Sequence, residues 1–140
     1  MSGITEIGAV FVPVSDQDRS LAFYVDVLGF AKVAEFEYGG GHHWIEVAPP
    51  GAANTIALVP ATEGAATPSD RAVCAFATDD IAALHGRLLA AGASVDPTVA
   101  GAGSQREGLV ARDVTVSDPV PAQFFVRDPD GNRFLVVQPG

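Results

Sequence analysis

Residues 7–29 read IGAVFVPVSDQDRSLAFYVDVLG and residues 72–92 read AVCAFATDDIAALHGRLLAAG, and the relation between these two stretches decides the fold. The first opens on a short β-branched apolar run, Ile7 to Val14, which predicts a buried strand. Ser15 or Asp16 can cap a following helix, where Leu21, Tyr24, Val25 and Leu28 recur at helical spacing. Gly29 supplies the stop expected just past a helix end. The second stretch repeats the plan. Ala72 to Thr78 predicts a strand, Ile81, Leu84, Leu88 and Ala91 mark one helix face, and Gly92 closes it. A shift of 63 residues superposes Val10 on Val73, Asp16 on Asp79, Leu21 on Leu84 and Gly29 on Gly92, so Asp16 and Asp79 read as the two helix caps. A strand–cap–helix–glycine unit repeated at one offset marks a duplicated module.

Working outward, Ala31 to Tyr38, His42 to Ala48 and Thr55 to Val59 read as three further strands, parted by Gly39-Gly40-Gly41 and Pro49-Pro50-Gly51. The order is β-α-β-β-β. Residues 61–70, rich in Ala, Thr, Pro and Gly, read as a linker. In the second half, Ser94 to Val99, Ala122 to Val126 and Phe134 to Val137 predict strands, and Leu109 to Val116 alternates weakly. Asp128-Pro129-Asp130-Gly131-Asn132 predicts a hairpin turn, since proline presets φ and glycine takes a positive φ. The expected fold class is α+β: two tandem modules, 5–60 and 71–140, joined by linker 61–70.

Composition excludes several classes of function. Eight basic residues against seventeen acidic ones leave a formal charge of −9, which repels phosphate backbones and anionic lipid; no nucleic-acid or membrane partner is expected. No apolar run approaches the roughly 20 residues of a membrane span. The opening Met1-Ser2-Gly3-Ile4-Thr5-Glu6 shows neither the basic start nor the apolar core of a signal peptide. With a single cysteine, Cys74, no internal disulfide can form, and a cytoplasmic location is expected. Cys74 reads as a structural thiol inside an apolar run.

Several motifs resemble the vicinal oxygen chelate superfamily of glyoxalases, bleomycin-resistance proteins and extradiol dioxygenases. Val12-Pro13-Val14-Ser15-Asp16, Phe23-Tyr24 and Leu28-Gly29-Phe30 resemble the opening of one of its modules, and Arg127-Asp128-Pro129-Asp130-Gly131-Asn132 with Phe134-Leu135 resembles its closing hairpin. The resemblance implies curled mixed sheets around a concave cavity, and a homodimer. In the metalloenzymes of this family, His, Glu or Gln side chains bind a divalent ion. The resemblance places those positions at Ala9 (with Gly8 beside it), at Ala57 within 55–58, at Val73 or Ala72, and at Leu135. Methyl and branched alkyl groups have no lone pair, so no metal and no other cofactor is expected, and a metal-dependent lyase or dioxygenase is disfavoured.

His42, His43, Trp44 and Glu46 form the richest polar cluster. Alternation puts His42, Trp44 and Glu46 on one face and His43, Ile45 and Val47 on the other. If this strand pairs with 55–59, Glu46 lies near Ala57. One reading is an aromatic platform whose carboxylate and imidazole orient a ligand or move a proton. The other is a solvated strand face with a core tryptophan. Adjacent His42 and His43 point apart and do not chelate one ion. Arg106, Glu107, Arg112 and Asp113 read as loop residues, with Gln123 opening a later strand; His85 reads as exposed and inert, and Phe23, Tyr24 and Phe30 as core. The leading expectation is a metal-free protein that binds or sequesters an apolar or aromatic small molecule through Trp44, Ala9, Ala57, Val73, Gln123 and Leu135. The alternatives are a metal-free isomerase or cyclase using Glu46 and His42, and a metal-dependent lyase or dioxygenase.

Overall fold

The computed structural model describes residues 2–38, 42–61, 72–101 and 121–139. The chain divides into two compact units, Met1–Pro68 and Ser69–Gly140. In the first, the valine-rich run forms β1 (Ala9–Val14) and Asp16 caps α1 (Gln17–Ala22), its side chain accepting from Arg19 N at 3.1 Å. Then come β2 (Ala31–Tyr38), β3 (His42–Ala48) and β4 (Thr55–Pro60). The second unit holds β5 (Ala72–Ala77), α2 (Ile81–Ala90), β6 (Ser94–Val95), β7 (Ala122–Arg127) and β8 (Arg133–Gln138). The class is α+β, as the repeat implies.

Among the described residues each unit builds one four-stranded mixed sheet with the same topology, in the order β1-β4-β3-β2 and β5-β8-β7-β6. The first strand of each unit pairs in parallel with the last, and the remaining ladders are antiparallel. Alternation sorts each sheet into two faces. In the first unit Val12, Val14, Ile45, Val47, Ile56 and Leu58 share the buried face, with Tyr24 and Ser20 of the helix also buried. In the second, Phe124, Val126, Phe134 and Val136 share the buried face, and His85 of α2 meets the Phe124 ring at 5.0 Å.

Three expectations need correction. The second cap is Asp80, not Asp79: Asp80 Oδ1 accepts from Ala83 N at 3.1 Å. The cause lies in the first module, where α1 runs into a π-helical turn, Phe23–Val27, closed by Leu28 N donating to Phe23 O. That turn takes up one more residue. Asp16 to Gly29 is therefore 29 − 16 = 13 steps and Asp80 to Gly92 is 92 − 80 = 12, so the repeat offset is 64 at the caps and 63 at the glycines. Both glycines take the positive φ of a helix stop, 81° and 77°.

His85 is buried rather than exposed, because its Nε2 lies 2.7 Å from Asp96 O and its ring packs on Phe124. The strand expected over 94–99 ends at Val95, since Asp96 binds Phe125 twice: its N–H donates to Phe125 O, and its Oδ2 accepts from Phe125 N at 2.9 Å. The 128–132 turn forms as expected around Asp128, which is buried. Its Oδ1 accepts from Asp130 N and Asn132 N, and its Oδ2 from Asn132 Nδ2. The segment 109–116 lies outside the described residues.

Candidate functional site

The face of the first sheet opposite its buried valines is built by the ladder registers. Phe11 pairs with Ala57, Ala57 with Glu46, and Glu46 with Ala34; Ala9 pairs with Thr55, and Trp44 with Phe36. Cross-strand partners share a face, so Phe11, Ala57, Glu46, Thr55, Ala9, Trp44 and Phe36 lie together. Glu46 thus stands opposite Ala57, where alternation expects it.

Glu46 is held at both oxygens. Trp44 Nε1 donates to Oε2 at 2.5 Å, and Thr55 Oγ1 donates to Oε1 at 2.6 Å. The Thr55 hydroxyl first, and the Trp44 indole second, lower the Glu46 carboxyl below its ordinary value of 4.5, against a smaller opposing effect of burial. Two aromatic rings flank the indole: Phe11 edge-on at 5.6 Å and Phe36 stacked at 6.0 Å. Phe11 is 61 % exposed and Phe36 54 %, whereas Ala57 beneath them is wholly buried. The result is a half-open aromatic surface around an ionised carboxylate, with methyl groups at its floor.

The corresponding face of the second sheet carries different groups. Leu135, buried, pairs with Ala75 on one side and Phe125 on the other. The Arg133 guanidinium lies 3.5 Å from the Phe125 ring centroid. Gln123, also buried, donates Nε2 to Pro121 O at 3.1 Å, and its Oε1 has no hydrogen-bond partner among the described residues. Val73 sits in the irregularity between Ala72 and Ala75.

The sequence profile of the Glyoxalase/Bleomycin resistance protein/Dioxygenase superfamily matches residues 6–136. The chain belongs to this superfamily. Among solved structures it is similar to TnmS3, an antibiotic binding protein from Streptomyces sp. CB03234, with 29 % identity, full coverage of both chains and a TM-score of 0.75. It is also similar to a glyoxalase/bleomycin resistance protein from Streptomyces sp. CB03234, with 31 % identity over 94 % of this chain and 99 % of that one, at a TM-score of 0.67. The Bacillus subtilis (strain 168) protein YetH is 32 % identical over 78 residues, 56 % of this chain and 65 % of YetH, so the match spans under two thirds of that relative.

Members of the superfamily that use a metal need convergent lone-pair donors. At Ala9, Ala57, Val73 and Leu135 this member offers only hydrocarbon, and no group of three or more His, Cys, Asp or Glu suited to an ion occurs among the described residues. The residues do not fit a metal at those positions. The main chain of His42 pairs with Tyr38 at the end of β3, while its side chain lies outside the described residues, as do Arg106, Glu107, Arg112 and Asp113. His43 turns to the other face, 3.6 Å from Glu35 and 3.9 Å from Glu37. The Cys74 thiol is half-buried and burial pushes its pKa up, as suits a structural thiol.

Sequence reasoning missed Thr55, Phe11 and Phe36. Alternation within β2 and β1 carries the signal for the two rings, because Phe36, past the register shift between Lys32 and Ala34, and the odd-numbered Phe11 of β1 fall on the Trp44 face. Thr55 carried no such signal: its role depends on β4 lying next to β3 in a particular register.

Proposed function

We propose that this chain is a metal-free small-molecule-binding protein whose ligand lies on the open face of the first sheet, against Trp44, Phe11 and Phe36 and over Ala9 and Ala57. One observation carries the reading: Trp44 and Thr55 both donate to the Glu46 carboxylate amid exposed aromatic rings, an arrangement that does not poise it to react. A general base works best with a pKa near the working pH. The two donors move Glu46 the other way, which supports orientation of a ligand over proton abstraction by an isomerase or cyclase. Similarity to an antibiotic binding protein points in the same direction. Gln123, Leu135 and Val73 belong, in this reading, to a ligand surface of the second module. The same reading carries a homodimer in the cytoplasm, which sedimentation equilibrium and cell fractionation check.

Trp44 is the chain's single tryptophan, so its fluorescence reports directly on the proposed surface. Titration with a panel of aromatic compounds is expected to perturb that emission, with the bound compound recovered unchanged. Consumption of a compound, abolished by Glu46→Gln, would favour the isomerase or cyclase. Stoichiometric metal on elemental analysis, with methylglyoxal–glutathione turnover, would end the metal-free reading.

A further inference from the structure

The charge state of Glu46 constrains what can cover it. Trp44 Nε1 and Thr55 Oγ1 are neutral donors, so the carboxylate keeps its full negative charge after both bonds are made. No Lys, Arg or His side chain pairs with it among the described residues; Lys32 is paired with Glu35 and His43 lies near Glu35 and Glu37, all on the opposite face. A ligand lying on Trp44, Phe11 and Phe36 removes water from this anion. Covering an ionised carboxylate without a counter-charge is costly, and protonating it is disfavoured by the same two donors. A neutral apolar ligand therefore fits the aromatic rings and conflicts with the group at their centre.

We propose that the ligand taken by the first sheet is an organic cation, an amine whose ammonium group pairs with the Glu46 carboxylate while its apolar part lies on Trp44, Phe11 and Phe36. The inference rests on the binding reading above and narrows its ligand class. Ammonium groups are attracted both to carboxylates and to aromatic faces, tryptophan most strongly. The stacked Trp44–Phe36 pair and the edge-on Phe11 ring supply such faces on the surface that holds the carboxylate. The chain's net charge of −9 draws the same class of molecule from solution.

Three probes sharing one ring system test this by isothermal titration calorimetry: 1-naphthylmethylamine, 1-naphthalenemethanol and 1-naphthoate, cationic, neutral and anionic at pH 7. The amine is expected to bind about tenfold more tightly than the alcohol, roughly the effect of one partly exposed cation–π and ion-pair contact, and the naphthoate weakest. Glu46→Gln is expected to abolish the gap between amine and alcohol. Glu37→Gln removes the same unit of charge from the other face and is expected to preserve it. Should Glu46→Gln fail to fold, salt on the unaltered protein decides, because the gap must narrow as sodium chloride is raised to 1 M. Equal binding of amine and alcohol, a gap that survives Glu46→Gln or high salt, or one lost equally in Glu37→Gln overturns the cation while leaving a binding surface. Failure of all three probes to bind ends the binding reading and the cation together.

Discussion

The two modules share a backbone and differ on one face. Laid on each other through their ladders, Ala57 corresponds to Leu135, Phe11 to Ala75, Trp44 to Gln123, Glu46 to Phe125 and Thr55 to Arg133. Where the first sheet has a hydroxyl donating to a carboxylate, the second has a guanidinium over a phenyl ring. Where the first has an indole bonded to that carboxylate, the second has an amide whose oxygen has no partner among the described residues. One face carries a carboxylate held by neutral donors, the other a guanidinium held over a ring. The buried faces, by contrast, are apolar in both, with Val, Ile and Leu in the first sheet and Val and Phe in the second. Packing constrains the helix-covered face by volume and apolarity, so the duplicated copies stay alike there. The other face answers only to what it meets, and there they have diverged.

The sharpest challenge to this contrast is a pair of phenylalanine truncations. Phe134 is wholly buried and stacked on Phe76 at 4.7 Å. Phe134→Ala is expected to cost about 3–5 kcal/mol in denaturant unfolding. Phe11→Ala, on the open face, is expected to cost less than about 1 kcal/mol. Comparable losses would mean that the first sheet's open face is a packing face.

Next in size is the hairpin that closes the second module. Asp128→Ala leaves two part-buried backbone N–H groups and the Asn132 amide without their carboxylate acceptor. A loss of about 2–3 kcal/mol is expected, in line with hydrogen bonds to charged groups.

The one-residue difference between the helices gives a smaller effect. Asp80→Ala removes a cap and is expected to cost about 1 kcal/mol in thermal unfolding. Asp79→Ala is expected to stay within about 0.5 kcal/mol. The reverse order would restore a uniform offset of 63 and remove the compensating role of the π turn.

The smallest effect is a titration. Glu46 has a lowered pKa in the folded chain, so its stabilising contribution is complete above the ordinary value of 4.5 and is lost as pH falls through the lower folded value. Carbon NMR of the side-chain carboxyl is expected to give a midpoint under 4.5. Thr55→Val, which removes the larger of the two causes, is expected to raise that midpoint; an unchanged value would show that the hydroxyl does not hold the carboxylate.

Much of this architecture was readable in the sequence because its signals are local. Apolar runs bounded by Asp, Gly and Pro gave the bounds of β2 and β3 and the core of β7 and β8, and alternation along β3 placed Trp44 and Glu46 on one face. Single-residue changes in local geometry escaped. A π turn leaves no mark that spacing can detect, so the second cap was displaced by one position. Asp96 reads as a strand residue until its carboxylate meets Phe125 N–H across the sheet. His85 sits beside Arg87 and Gly86 and looks solvated, yet Asp96 O and Phe124 come from elsewhere in the chain to enclose it.

What the sequence determined by itself was the repeat, the α+β class and the hydrocarbon side chains at Ala9, Ala57, Val73 and Leu135, since each depends on residue type and on separations along the chain. Only the tertiary structure decided that Glu46 is held at both oxygens by neutral donors. That depends on β4 pairing with β3 so that Thr55 reaches one oxygen, while Trp44 takes the other. A hydrogen bond has a range of about 3 Å, and which groups come that close is set by strand register rather than by their order in the chain.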